Sequence, residues 1–139
     1  MSDRRSTYQV PPNCDLTLGL VCLEKSEPGA TTWQAVADER FANPAGIVQG
    51  GFLAALADSA MGASAVTYAL QQPDRKVSSA NVEMKASFLR PARIGSVLTC
   101  RAAVISGGDR VVFCEAEISD DDGRLVAKAS STYVLTPRD

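Results

Sequence analysis

One stretch, residues 52–70, is rich in Ala, Leu and Met, holds no Pro and sets apolar residues on nearly every face. A helix that is apolar all round has to be covered on most sides. Asp58, Ser59, Gly62 and Ser64 break the apolar run, so it does not read as a membrane span. Gly50-Gly51 marks its start and Gln71-Gln72-Pro73 its end. What covers the helix must come from the β-forming remainder of the chain. Residues 16–38 read as two strands around a turn at Glu27-Pro28-Gly29-Ala30, the second strand being 31–38. After the helix come strand candidates at 77–89, 96–106, 111–119 and 125–135. They are separated by Pro91 to Gly95, by Gly107-Gly108-Asp109 and by Asp120-Asp121-Asp122-Gly123, the last two being hairpin signals. The expected fold class is α+β, a curved antiparallel sheet wrapped around one long central helix, its last four strands in a meander. One helix does not protect the edges of such a sheet, so dimerisation through strands or the sheet face is expected.

A length of 139 residues fits one domain with its own core. Residues 1–15, broken by Pro11 and Pro12, read as a flexible or loosely docked leader, and 16–139 as the single domain. The polar start has no apolar segment behind it, so the expected location is cytoplasmic, with no membrane partner. A net charge of −2 gives no nucleic-acid footprint. Cys14, Cys22, Cys100 and Cys114 form no C-x-x-C pair and read as free, core-type cysteines rather than a disulfide framework.

The chain has no histidine. A Ser-His-Asp or Cys-His hydrolase is thereby excluded within one chain, as is any metal site built on imidazole, and acid–base chemistry falls to carboxylates, Lys, Tyr or Cys. From Phe41 to Pro73 the only Asp, Glu, Lys or Arg is Asp58, set among Leu53, Ala54, Ala55, Leu56, Ala57, Ala60 and Met61. A carboxylate buried there would titrate high, which suits a base or nucleophile near neutral pH. The structural alternative is an Asp that caps a loop or pairs with an Arg. At the helix start, Gly50 and Gly51 expose N–H groups at the positive end of the dipole and let an oxygen approach closely, as in an oxyanion hole. The alternative there is an ordinary glycine loop. Gly50 and Asp58 are eight positions apart, about 12 Å of helical rise. One carbonyl carbon cannot meet both, so cooperation requires Gly50 of one chain and Asp58 of another across a two-fold axis. Asn43 before Pro44 serves either the site or a turn.

The segment from Asn43 through Gly46, Gln49, Gly50 and Gly51 to Asp58 and Gly62 closely resembles the signature of hotdog-fold thioesterases of the phenylacetate-degradation (PaaI-like) type: N-x-x-G-x-x-H-G-G, an alanine-rich helix, and an acid seven residues after the second Gly. The stretch from Asn81 to Gly95 is similar to that family's long strand and its Pro-x-x-x-Gly link. With the closing strands, the resemblance covers about residues 16–136. It implies an acyl-CoA thioesterase of the hotdog fold, a dimer or dimer of dimers with composite sites, using neither cofactor nor metal. Gly50 would donate its N–H to the thioester oxygen, with Gly51 beside it. Asp58 of the neighbour would attack or activate water, Asn43 would orient water or thioester, and Asn81 takes the place of a Ser or Thr near that water. The chain departs at Gln49, where the family carries His. Gln hydrogen-bonds a carbonyl but moves no proton at neutral pH, so the change bears on rate and acyl preference. Hotdog hydratases rely on a catalytic His that this chain lacks.

Arg90, Arg93 and Lys85 are candidates for the CoA phosphates or simply solvated cations. Trp33, Phe52 and Tyr68 are candidates for an acyl pocket, with core packing the better reading. Two other functions compete with hydrolysis: a non-catalytic acyl-CoA or acyl-carrier binding protein, and a structural oligomer without ligand. Neither has a use for an isolated carboxylate in mid-helix.

Overall fold

A computed structural model describes residues 10–138. The order is α1 (Asn13–Leu18), β1 (Val21–Glu24), β2 (Ala30–Val36), a 3-10 turn (Glu39–Phe41), α2 (Gly50–Ala69), β3 (Val77–Phe88), β4 (Val97–Gly107), β5 (Val111–Ser119) and β6 (Leu125–Pro137). All six strands form one antiparallel sheet in the order β1-β2-β4-β5-β6-β3, and α2 lies against β2 through β6. This is the hotdog fold expected from the sequence.

The alternation along β5, with Val112, Cys114, Ala116 and Ile118 buried between exposed neighbours, turns one sheet face to α2. Small residues on that face, Ala102, Ala116 and Ala129, admit Leu56, Ala60, Met61 and Ala65 of the helix. The polar residues that interrupted the apolar run are bonded: Ser64 shares a 2.9 Å hydrogen bond with Thr31, and both hydroxyls reach the carbonyl of Ala60. The fold includes a helix apolar and long enough to cross a membrane, but half of its apolar window is buried under its own sheet.

Three features differ from the sequence reading. Leu16 to Leu18 belong to α1 rather than a strand. Pro12 precedes that helix and Gly19 closes it in the left-handed region, φ 71°. Asn13 to Asp15, assigned by sequence to the leader, form its beginning; residues 1–9 lie outside the described residues. Second, β3 does not open a four-strand meander. It pairs with β6, while β4 pairs with β2 and β5. The Pro91–Gly95 link does not reverse the chain in place. Ala92 accepts from the Val48 N–H at 2.9 Å, Arg93 bridges Ile47, and Gly95, at φ 94°, donates to Ala37, so the chain is carried to the β2 side of the sheet. Third, α2 is not covered all round: Gly51 and Asp58 are exposed.

Candidate active site

Asp58 sits in the middle of α2, and its carboxylate is exposed in the single chain. The expected burial is therefore corrected. Gly51, Ala55, Asp58 and Gly62 follow one another at helical spacing on the stripe that the sheet leaves least covered. Asp58 is nevertheless held. The Tyr133 hydroxyl donates to its Oδ1 at 2.7 Å and to its backbone carbonyl at 3.0 Å. Asn81 donates through Nδ2 to the same Oδ1 at 3.0 Å. The amide also reaches Ser131 Oγ at 3.2 Å and the Tyr133 oxygen at 3.4 Å.

The sheet register explains this cluster. Asn81 lies directly opposite Tyr133 in the β3–β6 pair, and the bulge between Asn81 and Glu83 lies immediately beside it. Bulges re-aim side chains in this way. Burial, with the neighbouring Asp58 carboxylate, pushes the Tyr133 phenol well above its ordinary value, so the phenol stays a proton donor. Tyr133 and Ser131 escaped sequence reasoning: β6 carries several Ser and Thr residues, and nothing local marks which of its side chains reach Asp58.

At the N-terminal end of α2, Phe52 and Leu53 donate to the Gln49 carbonyl. Gly50 and Gly51 thus offer the free N–H groups of the first turn. Gln49 is exposed, caps the helix through its backbone, and its side chain makes no capping bond. Asn43 serves the turn: its Oδ1 accepts from Ala45 at 2.9 Å and from Ile47 at 3.3 Å, and its N–H bonds to the Ile47 carbonyl. It shapes the loop that delivers Gly50. Arg90 and Arg93 are exposed next to that loop, and among the described residues no carboxylate pairs with either or with Lys85. Trp33 and Phe52 are core residues, Phe52 stacking on Phe41 with centroids 3.9 Å apart, and Tyr68 donates to Gly107 at the far end of α2. A narrow apolar cleft between α2 and the β3–β6 pair is lined by Leu53, Ala54, Ala57, Ala86 and Phe88.

Residues 45–127 match the model of the thioesterase superfamily. The chain belongs to that superfamily. Human acyl-coenzyme A thioesterase 13 is 26% identical to this thioesterase over 88% of the chain and 85% of its own length. Among solved structures, a phenylacetic acid degradation-related protein of Ralstonia eutropha JMP134 is 35% identical, with TM-score 0.77 over 88% of this chain and 89% of that one. The PaaI protein of E. coli shares the fold at TM-score 0.81 and 21% identity, covering 90% of this chain and 85% of its own. The thioesterase is accordingly a thioester hydrolase.

Proposed function

We propose that the chain hydrolyses acyl-CoA thioesters to the free acid and CoA in sites shared between two subunits of a homo-oligomer. The observation that carries this reading is Asp58: the one carboxylate of its segment, exposed on the uncovered stripe of α2 yet clamped by Tyr133 and Asn81. The acyl-CoA class is supported by the human relative, named for that substrate. A hypothetical thioesterase of the same fold from Streptococcus pneumoniae TIGR4 has been solved with coenzyme A.

The Gly50 N–H of one subunit polarises the thioester oxygen, and Asp58 of its neighbour delivers the nucleophile, either by taking a proton from water or as the attacking oxygen. In the first route the water oxygen bonds to the carbonyl carbon, the C–S bond breaks, and the proton taken by Asp58 passes to the departing thiolate. In the second, an Asp58–acyl anhydride forms as the thiolate leaves, and water then cleaves it, restoring the carboxylate, releasing the acid and supplying the thiol proton. Gln49 stands ready to hydrogen-bond substrate but not to move that proton. The acyl chain runs along the apolar surface beside Leu53 and Phe88. Arg90 and Arg93 meet the phosphates as charge-assisted donors. In this reading no metal or cofactor takes part, and the protein works in the cytoplasm. The long edge strand β3, whose outer backbone groups are unpaired in the sheet, is the surface through which two sheets join.

Thiol release from short, medium, long and aromatic acyl-CoAs tests the reading. Turnover of one class is expected, with Asp58→Asn slower by about a thousandfold; wild-type rates in Asp58→Asn rule out the mechanism. Co-expression tests the shared site. Asp58→Asn and Gly50→Pro, the latter removing the N–H at the first helical position while its Cβ also presses on Phe88, are each expected to be inactive alone. Mixed dimers regain one intact site, about a quarter of wild-type activity in a random mixture. Sites contained within one subunit would recover nothing.

A further inference from the structure

The two oxygens of Asp58 are not equivalent. Oδ1 accepts from Tyr133 at 2.7 Å and from Asn81 at 3.0 Å, whereas no donor among the described residues reaches Oδ2. We propose that Tyr133 is a positioning residue that holds Oδ1 and so makes Oδ2 the oxygen presented to the thioester or its water. This rests on the thioesterase mechanism given above and specifies which atom acts and what aims it.

Four observations support the assignment. The Tyr133 ring is 2% exposed, so its hydroxyl is delivered by a side chain that core packing keeps in place. That hydroxyl also bonds to the backbone carbonyl of Asp58, so the carboxylate and the helix are referenced to one point. Asn81, the second donor, is steadied through Ser131. The phenol keeps its proton throughout the working range because burial opposes ionisation and Asp58 adds to that. Without these bonds, an Asp on an exposed stripe would rotate freely between staggered rotamers, and a reacting atom displaced by about 1 Å loses much of its rate.

The groups facing this cluster leave few competitors. Asp58 is the only charged residue of α2, and β6 contributes only neutral Ser131 beside Tyr133. Buried Cys114 lies on β5, and Asp15 of α1 bonds to Ser59 at 2.8 Å, not to Asp58. Among the described residues, Tyr133 is thus the only ionisable group in contact with the carboxylate.

The test is Tyr133→Phe, which keeps the ring and removes the hydroxyl. With the preferred acyl-CoA, kcat is expected to fall about tenfold, with KM within about twofold and little change in melting temperature. An unchanged kcat overturns the proposal while leaving acyl-CoA hydrolysis intact. If Tyr133→Phe does not fold, Asn81→Ala removes the other donor and is held to the same kcat and KM criterion. A readout independent of turnover is the 13C resonance of the Asp58 carboxylate, assigned by its loss in Asp58→Asn. It moves in Tyr133→Phe if the clamp exists in solution, and an unmoved resonance overturns the proposal even where no thioester is hydrolysed.

Discussion

At Gly50 the absence of a side chain has a steric reason separate from the N–H it offers. A Cβ there would stand 3.1–3.3 Å from the Phe88 ring, whereas at Gly51 the nearest contact is the Gln49 side chain at 3.5 Å. Gly50→Ala must displace Phe88, and with it the wall of the apolar cleft. It is expected to lower kcat/KM about tenfold, with Gly51→Ala within about twofold of wild type, read by thiol release from the preferred substrate. Asp58 was legible in the sequence because no other charge shares its segment. Its exposure was not, because the residues around it are mostly Ala and Leu and only the placement of the sheet shows which helical stripe stays open. Tyr133 was not legible either: it lies 75 positions from Asp58, and pairing at that distance is set by strand register.

The central helix carries a glycine in its interior. Gly62 has ordinary neighbours, Ser79 Oγ at 3.4 Å and Tyr133 Cε1 at 3.5 Å from a built Cβ. An alanine there removes backbone freedom from the unfolded chain without a clash. Gly62→Ala is expected to stabilise by about 0.5–1 kcal/mol, raising Tm by about 2–4 °C, measured by thermal melts. A falling Tm would show that the helix sits closer to β3 and β6 than described. The strands β4, β5 and β6 could be read from alternation and from the Gly107-Gly108-Asp109 and Asp120–Gly123 turns. In the second of these, Asp120 accepts from the Asp122 and Arg124 backbones, which hold its carboxyl below the usual range. The short α1 was not legible, its residues dividing between the expected leader (Asn13 to Asp15) and the first expected strand (Leu16 to Leu18), although Gly19 closes it.

For the molecule as a whole, the cysteines separate into two classes. Cys14 is exposed, against the expectation of a core thiol, and Cys22 is half-buried. Burial pushes Cys100 and Cys114 up to about 12. The unfolded chain gives up these protons near the ordinary thiol value of 9.0, so above that pH it binds fewer protons than the folded chain and stability falls as pH rises. Tyr133 acts in the same direction. Melts between pH 8 and 12 are expected to show a plateau and then a steady decline from about pH 9, and a thiol reagent at pH 8 is expected to leave Cys100 and Cys114 unmodified until the chain unfolds. A flat alkaline profile would contradict the burial of both.

The sequence by itself determined the kind of fold, the ends of α2 to within two residues, and the presence on that helix of a glycine start and an isolated carboxylate. Those properties reside in local patterns: the helical and alternating periods, the glycine pair, the lone charge. Only the tertiary structure decided that β3 joins β6 instead of β4, that Asp58 faces out of its own subunit, and that Tyr133 and Asn81 grip one of its oxygens. These depend on long-range register and on which face of α2 the sheet covers, and no local pattern encodes either.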